Sequence, residues 1–226
     1  IQHLEGGIVE EILIKEGEKV QTNQPLVILS KAKASSEYEE INTRLKSIEL
    51  SIMRIKAEKN SLKSIPEEMI GSIFDKELVK FENELLMSRR NNLNSEQKTV
   101  KRNIKNLEKR YSLIKEQTLI SEELLLAEAT NRFQHLELLR ELSNIEGQLD
   151  EQKNKLETIQ LNFSEQLNIE FSEFNKEKSE LLKRITKYSD NLNRTVLKSP
   201  VSGVIKLISV NSKGAIIAPG VTVVEI

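Results

Sequence analysis

GIVEEILIKEGEKVQTNQPLVIL at residues 7–29 and GVIKLISVNSKGAIIAPGVTVVEI at residues 203–226 are two copies of one pattern. With Gly7 set on Gly203, Val9, Ile12 and Ile14 fall on Ile205, Ile208 and Val210. One extra residue then precedes Gly214, the counterpart of Gly17. Beyond it Val20, Leu26 and Val27 match Ile217, Val223 and Val224. A recurring pattern of this kind is one supersecondary unit used twice. The copies sit at opposite ends of the chain, with almost no Gly or Pro between them. A β unit must close, so the ends must meet and the middle must leave and return. Long α-helices are the simplest way to do so.

Composition agrees. The 226 residues are 31% charged and 4% aromatic, a mixture suited to solvated helices rather than one thick core. The net charge of -1 gives no basic footprint for nucleic acid. The absence of cysteine rules out a disulfide scaffold and a thiolate metal site. No apolar run is long enough to span a bilayer as a helix, and there is no signal peptide. The chain opens and stops on strand-like stretches and reads as a piece of a larger protein.

Residues 1–30 carry strand and hairpin signals, with Ile8, Ile12 and Ile14 expected on one face and turns at Glu16-Gly17-Glu18 and Asn23-Gln24-Pro25. Residues 199–226 read the same way. Between them, residues 31–198 divide into three helical stretches. Tyr38, Ile41, Leu45, Ile48, Ile52, Ile55 and Leu62 make a heptad seam that predicts a helix over 34–64. Pro66 and Gly71 then predict an interruption. A second helix is expected over 73–116, weak in its polar middle at 88–98. A tip turn is expected at 117–121. Ser121, followed by Glu122 and Glu123, looks like the N-cap of a third helix over 121–194.

Lengths suggest how these pack. At the helical rise, the first two stretches give about 46 and 66 Å and the third about 111 Å. The expectation is therefore an α+β chain with a long antiparallel coiled-coil hairpin. Its outward arm is two helices end to end, and the hairpin is inserted into the split β domain. A three-helix bundle with the first helix folded back is the rival arrangement.

The Gln2-His3-Leu4-Glu5-Gly6-Gly7-Ile8-Val9 stretch, the Gly turn, Pro25-Leu26-Val27, Ser199-Pro200-Val201-Ser202-Gly203-Val204 and Pro219-Gly220 resemble a known pattern. It is that of periplasmic adaptors, or membrane fusion proteins, of the haemolysin-D family, and most of all the type I secretion kind. The resemblance covers essentially the whole chain. It implies a split lipoyl (biotinyl-like) domain carrying a helical hairpin. It also implies a periplasmic location, anchored to the inner membrane of a Gram-negative bacterium. The partners it implies are an inner-membrane ABC transporter, a TolC-like outer-membrane channel and a ring of probably six subunits. Adaptors that dock tip to tip on the channel carry Arg, then Leu four residues on, then Ser or Thr seven further. Arg110, Ile114 and Ser121 sit at those spacings, with Ile in place of Leu. By this resemblance they are the partner-docking residues.

Other chemistry finds little support. A lipoyl or biotinyl carrier needs a lysine on a tight hairpin between its halves. Lys31 and Lys33 lie near the junction but in no such setting. His3 and His135 are far apart in sequence and suggest no catalytic or metal site, and Gly6-Gly7 is no phosphate loop. Pairs such as Glu177-Lys178 are a solvated helix face. No cofactor, metal or enzymatic activity is expected. A multidrug-efflux adaptor and a plain coiled-coil tether are the alternative functions. The isolated chain, lacking its further domains, is expected to be monomeric or weakly associating.

Overall fold

The computed structural model describes residues 1–71, 73–210 and 212–226, and the chain forms two compact units. The first comprises residues 1–49 and 176–226, the second residues 50–175. Among the described residues four helices, α1 (Ala32–Lys59), α2 (Glu67–Ile70), α3 (Lys76–Leu126) and α4 (Arg132–Arg194), lie in sequence between two sets of strands. The first set is β1 (Gly7–Ile12), β2 (Lys19–Val20) and β3 (Pro25–Leu29). The second is β4 (Val196–Lys198), β5 (Gly203–Val204), β6 (Leu207–Ile208), β7 (Ile216–Ile217) and β8 (Val224–Glu225).

The two β halves close on each other. The main sheet runs β4-β3-β1-β7, so both of its outer strands come from the far end of the chain. All its pairings are antiparallel, with Val27 opposite Leu197 and Ile8 opposite Ile216. A second pairing, Lys19 opposite Val204, joins β2 to β5. The sequence repeat is also a repeat of the core. Val9 and Ile205, Ile14 and Val210, Val20 and Ile217, Leu26 and Val223, and Val27 and Val224 are five equivalent pairs buried in one cluster. Burying such side chains is the term that holds a small β unit closed.

Two details differ from the sequence reading. Ile8 is exposed, and Val9 takes the inward position. The register of β1 shifts between Val9 and Glu11, and a bulge there changes which face the following residues occupy. The second half also begins to pair at Val196, ahead of Ser199. Gly6 is required by geometry. Its φ is +67°, and a Cβ there would meet the carbonyl oxygen of Ile217 at 2.2 Å. In the same unit, the start of α1 and the end of α4 are linked by Arg44–Glu177 at 2.7 Å and Lys178–Glu49 at 2.8 Å.

In the second unit α1 stops at Lys59 rather than near residue 64. Ser61 adopts φ 56°, its N–H bonds to Glu58 O, and Leu62 N–H bonds back to Ala57 O. Those two bonds are a Schellman motif, which ends a helix without needing Gly at the left-handed position. Pro66 and Gly71 fall in the interruption expected of them, flanking the single turn of α2. Asp75 then caps α3 by accepting from Glu77 N–H at 3.0 Å.

The end-to-end arrangement of the first two helices does not hold. Ser51 and Arg54 of α1 meet Glu82 of α3, and Glu58 meets Arg89 farther along both helices. The start of α3 therefore runs parallel beside the end of α1. The cause is a second apolar stripe on α1. Leu50 and Ala57 are buried with Ile65 and Leu86, and Met53, Ile70, Phe74 and Leu78 pack around them. Arg89–Glu170 and Arg110–Glu141 show that α4 returns antiparallel to α3, sealed by buried Val100, Ile145 and Leu149.

Candidate functional site

The turn joining α3 to α4 lies at residues 127–131, not at 117–121. Helix α3 passes through residues 117–121 unbroken. Thr118 and Ser121 there are seam residues, one and two turns on from Ile114, and both are buried. Their small polar side chains bond inward. Thr118 Oγ1 donates to Ile114 O at 2.8 Å, and Ser121 Oγ lies 3.3 Å from His135 Nδ1 on α4. Ser121 is thus not an N-cap. The stretch Ser121-Glu122-Glu123 has a cap's composition but continues the seam.

Helix α3 ends where Glu128 takes φ 57°, with Glu128 N–H bonded to Leu125 O and Ala129 N–H to Leu124 O. This is again a Schellman motif, here with glutamate at the position glycine usually fills. Asn131 opens α4, its Oδ1 accepting from Phe133 N–H at 2.9 Å. No Gly or Pro marks this turn, which is why the sequence reading missed it. The available signal was Thr130-Asn131, a cap-forming pair ahead of a periodic run.

Around the turn, apolar side chains face outward. Leu126 is 83% exposed and Phe133 65%, with Leu119, Ile120, Leu124 and Leu136 also exposed. An open hollow of about 530 Å³ lies between the helices, lined by Ile120, Leu124, Gln134 and Leu138 among others. Single exposed apolar residues need no explanation, but a group gathered at one end of a helix pair marks an interaction surface. Of the residues expected to dock, Arg110 is exposed and bonded to Glu141 at 2.9 Å. About 24 Å of helix separates it from Leu126. Ile114 is half-buried and Ser121 is 7% exposed. The three lie on one helix and do not straddle the turn.

A second concentration of charge is buried at the three-helix section of the same unit. Arg54 donates to Glu58, and through Nε to Glu82 at 2.6 Å. Arg89 donates through Nη1 to both oxygens of Glu170, at 2.9 and 2.8 Å, and its Nε lies 3.3 Å from Glu58 Oε2. Arg54 Nη2 reaches to 3.7 Å from Glu170. Burial pushes the Glu58 carboxyl above its ordinary range, outweighing its two arginines. Burial acts on Glu170 in the same sense, but the hydrogen bonds and charge of Arg89, with the charge of Arg54, hold it below that range. Among the described residues no group of three or more His, Asp or Glu side chains is placed to hold a metal ion, and no helix is long and apolar enough to cross a membrane.

No protein-family model matches the chain. Its sequence is 26% identical, across 98% of its length, to the type I secretion system membrane fusion protein PrsE of Rhizobium meliloti (strain 1021), and spans 58% of that protein. The fold is similar to the soluble domain of LipC, a membrane fusion protein of a type I secretion system, with a TM-score of 0.69 and 19% identity. That match covers 99% of this chain and 97% of the other. It is also similar to the periplasmic adaptor protein EmrA, with a TM-score of 0.51 and 17% identity over 99% of this chain and 69% of the other. The resemblance to membrane fusion adaptors read from the sequence is therefore found in both sequence and fold.

Proposed function

We propose that this chain, similar as it is to the membrane fusion proteins of type I secretion, is the periplasmic part of a secretion adaptor. It carries out no reaction and works by geometry. The α3–α4 tip docks on a TolC-like outer-membrane channel. Parts of the protein beyond this chain engage an inner-membrane ABC exporter, and neighbouring copies assemble into a ring around the path of the secreted protein.

The observation that carries this reading is the outward apolar group at the tip, Leu126 and Phe133 above all. Leaving such side chains in water forgoes about 25 cal/mol per Å² of apolar surface, a deficit that a docked partner removes. Arg110 presents its guanidinium from the flank of α3, where it can reach a partner once freed from Glu141. Ile114 lies on the same helix. Ser121 acts from inside, bonding His135 and so holding the two helices together below the turn.

In the full-length protein, a photo-crosslinker placed at Leu126 should capture an outer-membrane channel in cells, and one at exposed Lys153 should not. Failure of Leu126 to capture a channel while export proceeds would refute tip docking.

A further inference from the structure

The β repeat extends from core residues to strand pairings. Lys19 opposite Val204 is the counterpart of Ile216 opposite Ile8. Glu225 opposite Leu207 is the counterpart of Ile28 opposite Glu11. The Gln2–Thr222 bridge answers Lys198 opposite Pro25. The main sheet is thus one layer, and Gln2 with β8, β6, β5 and β2 is the other. Both layers bury their inner side chains in one shared cluster, so their outer faces point away from each other.

Inside, equivalent positions match in character; outside, they differ in charge. On the outer face of the main sheet Ile8 and Ile216 stand opposite each other, 52% and 82% exposed. Glu10 and Glu11 follow on β1 and are exposed, and Lys198 stands on the edge strand β4. On the other layer the counterpart of Ile8 is Val204 and that of Ile216 is Lys19. Glu10 is answered by Lys206, Glu11 by Leu207 and Lys198 by Gln2. Val204, Leu207, Lys19 and Lys206 are exposed, and Glu225 Oε2 lies 3.5 Å from Lys206 Nζ. Each face therefore carries an exposed apolar pair. On the first, two glutamates outweigh Lys198; on the second, two lysines outweigh Glu225.

We propose that the acidic outer face of one copy packs on the basic outer face of the next. This rests on the reading of the chain as a ring subunit, and it names the surface through which the copies meet. Like faces would set Glu10 and Glu11 against their own copies, or Lys19 and Lys206 against theirs. Unlike faces set carboxylates against ammoniums and cover Ile8 and Ile216 with Val204 and Leu207. Because the two faces differ, the contact is head to tail. Every copy keeps one face free for another, and the series ends only where rotation between neighbours closes it. The charges are exposed, so the contact is weak in the isolated chain and weaker still in high salt.

Cross-linking of the full-length protein in cells tests this. Ile8→Cys and Val204→Cys place one thiol on each face. With a short thiol-to-thiol reagent, a chain carrying both should give a ladder of dimers, trimers and larger products. Either cysteine alone should give no dimer above the level of the unaltered protein. Glu10→Lys with Glu11→Lys should abolish the ladder. Adding Lys19→Glu and Lys206→Glu to that same chain exchanges the signs of the two faces and should restore it. Thermal melts of the purified variants should stay close to native, since all four positions are exposed. Dimers from either cysteine alone, a ladder that survives the glutamate reversal, or an exchange that fails to restore it would overturn the contact. No ladder while a photo-crosslinker at Leu126 still captures a channel would overturn the contact and leave the adaptor reading standing. A ladder without capture at Leu126 would support the contact and refute tip docking.

Discussion

Nε of Arg54 lies 2.6 Å from Oε2 of Glu82, a buried ion pair between α1 and α3 across the break marked by Pro66 and Gly71. It fixes how far the start of α3 overlaps the end of α1. Arg54 falls between Leu50 and Ala57 on the stripe that α3 covers, so the charge had to be met inside the packing.

Removing one partner of such a pair leaves the other charge buried. Arg54→Ala, which leaves Glu82 and Glu58 buried without the guanidinium that both are bonded to, should therefore cost about 3–5 kcal/mol, with a clear fall in melting temperature. Glu177→Ala, which breaks the exposed Arg44 pair, should cost less than about 1 kcal/mol. Thermal melts of the two variants side by side check the contrast.

The two perturbed carboxyls predict opposite pH behaviour. Glu170 is held below its unfolded value, so its contribution to stability is present above the ordinary carboxylate range and is lost as pH falls through the folded value. Glu58 is raised, so its contribution is present below that range and is lost as pH rises through the folded value. Glu170→Gln should destabilise the chain at neutral pH, with a deficit that shrinks on acidification. Melting temperature against pH for native and variant chains reads the sign directly, and a deficit that grows with acid would contradict it.

At the β unit, Gly6→Ala should be severe, because the new Cβ would strike the Ile217 carbonyl and φ is positive. Gly17 also has positive φ but open space around it, so Gly17→Ala should cost only about 1 kcal/mol of backbone strain. Urea melts should rank the two in that order.

The residue that turns α3 into α4 offers a stabilising change. Glu128 stands at φ 57°, where glycine carries no steric penalty. Glu128→Gly should raise stability by up to about 1 kcal/mol, whereas Asn131→Ala should lower it by about 1 kcal/mol through loss of the cap. Melts that move both variants the same way would contradict the turn geometry.

What the sequence disclosed follows from the kind of signal each feature left. The β unit was legible because its core is duplicated, with Val9 answering Ile205 and Leu26 answering Val223. The break at Pro66 was legible because proline removes a helical bond outright. The bulge that exchanges Ile8 for Val9 left no such mark. Nor did the second stripe of α1, since Leu50 and Ala57 stand between polar neighbours and the stripe between them is carried by a charged residue, Arg54, buried in an ion pair. The tip was misplaced because serine and threonine serve both as helix caps and as small seam residues. Ser121 does the latter, and the turn itself is made by glutamate.

The most direct test of the adaptor account is export by the full-length protein carrying Leu126→Glu and Phe133→Glu. Both side chains are exposed, so the melting temperature should stay close to native, as surface changes usually remain within about 0.5 kcal/mol. Secretion of the cognate protein should nonetheless fall sharply, while Lys153→Ala leaves it intact. Export that persists at the native level with both glutamates in place would contradict docking through the tip.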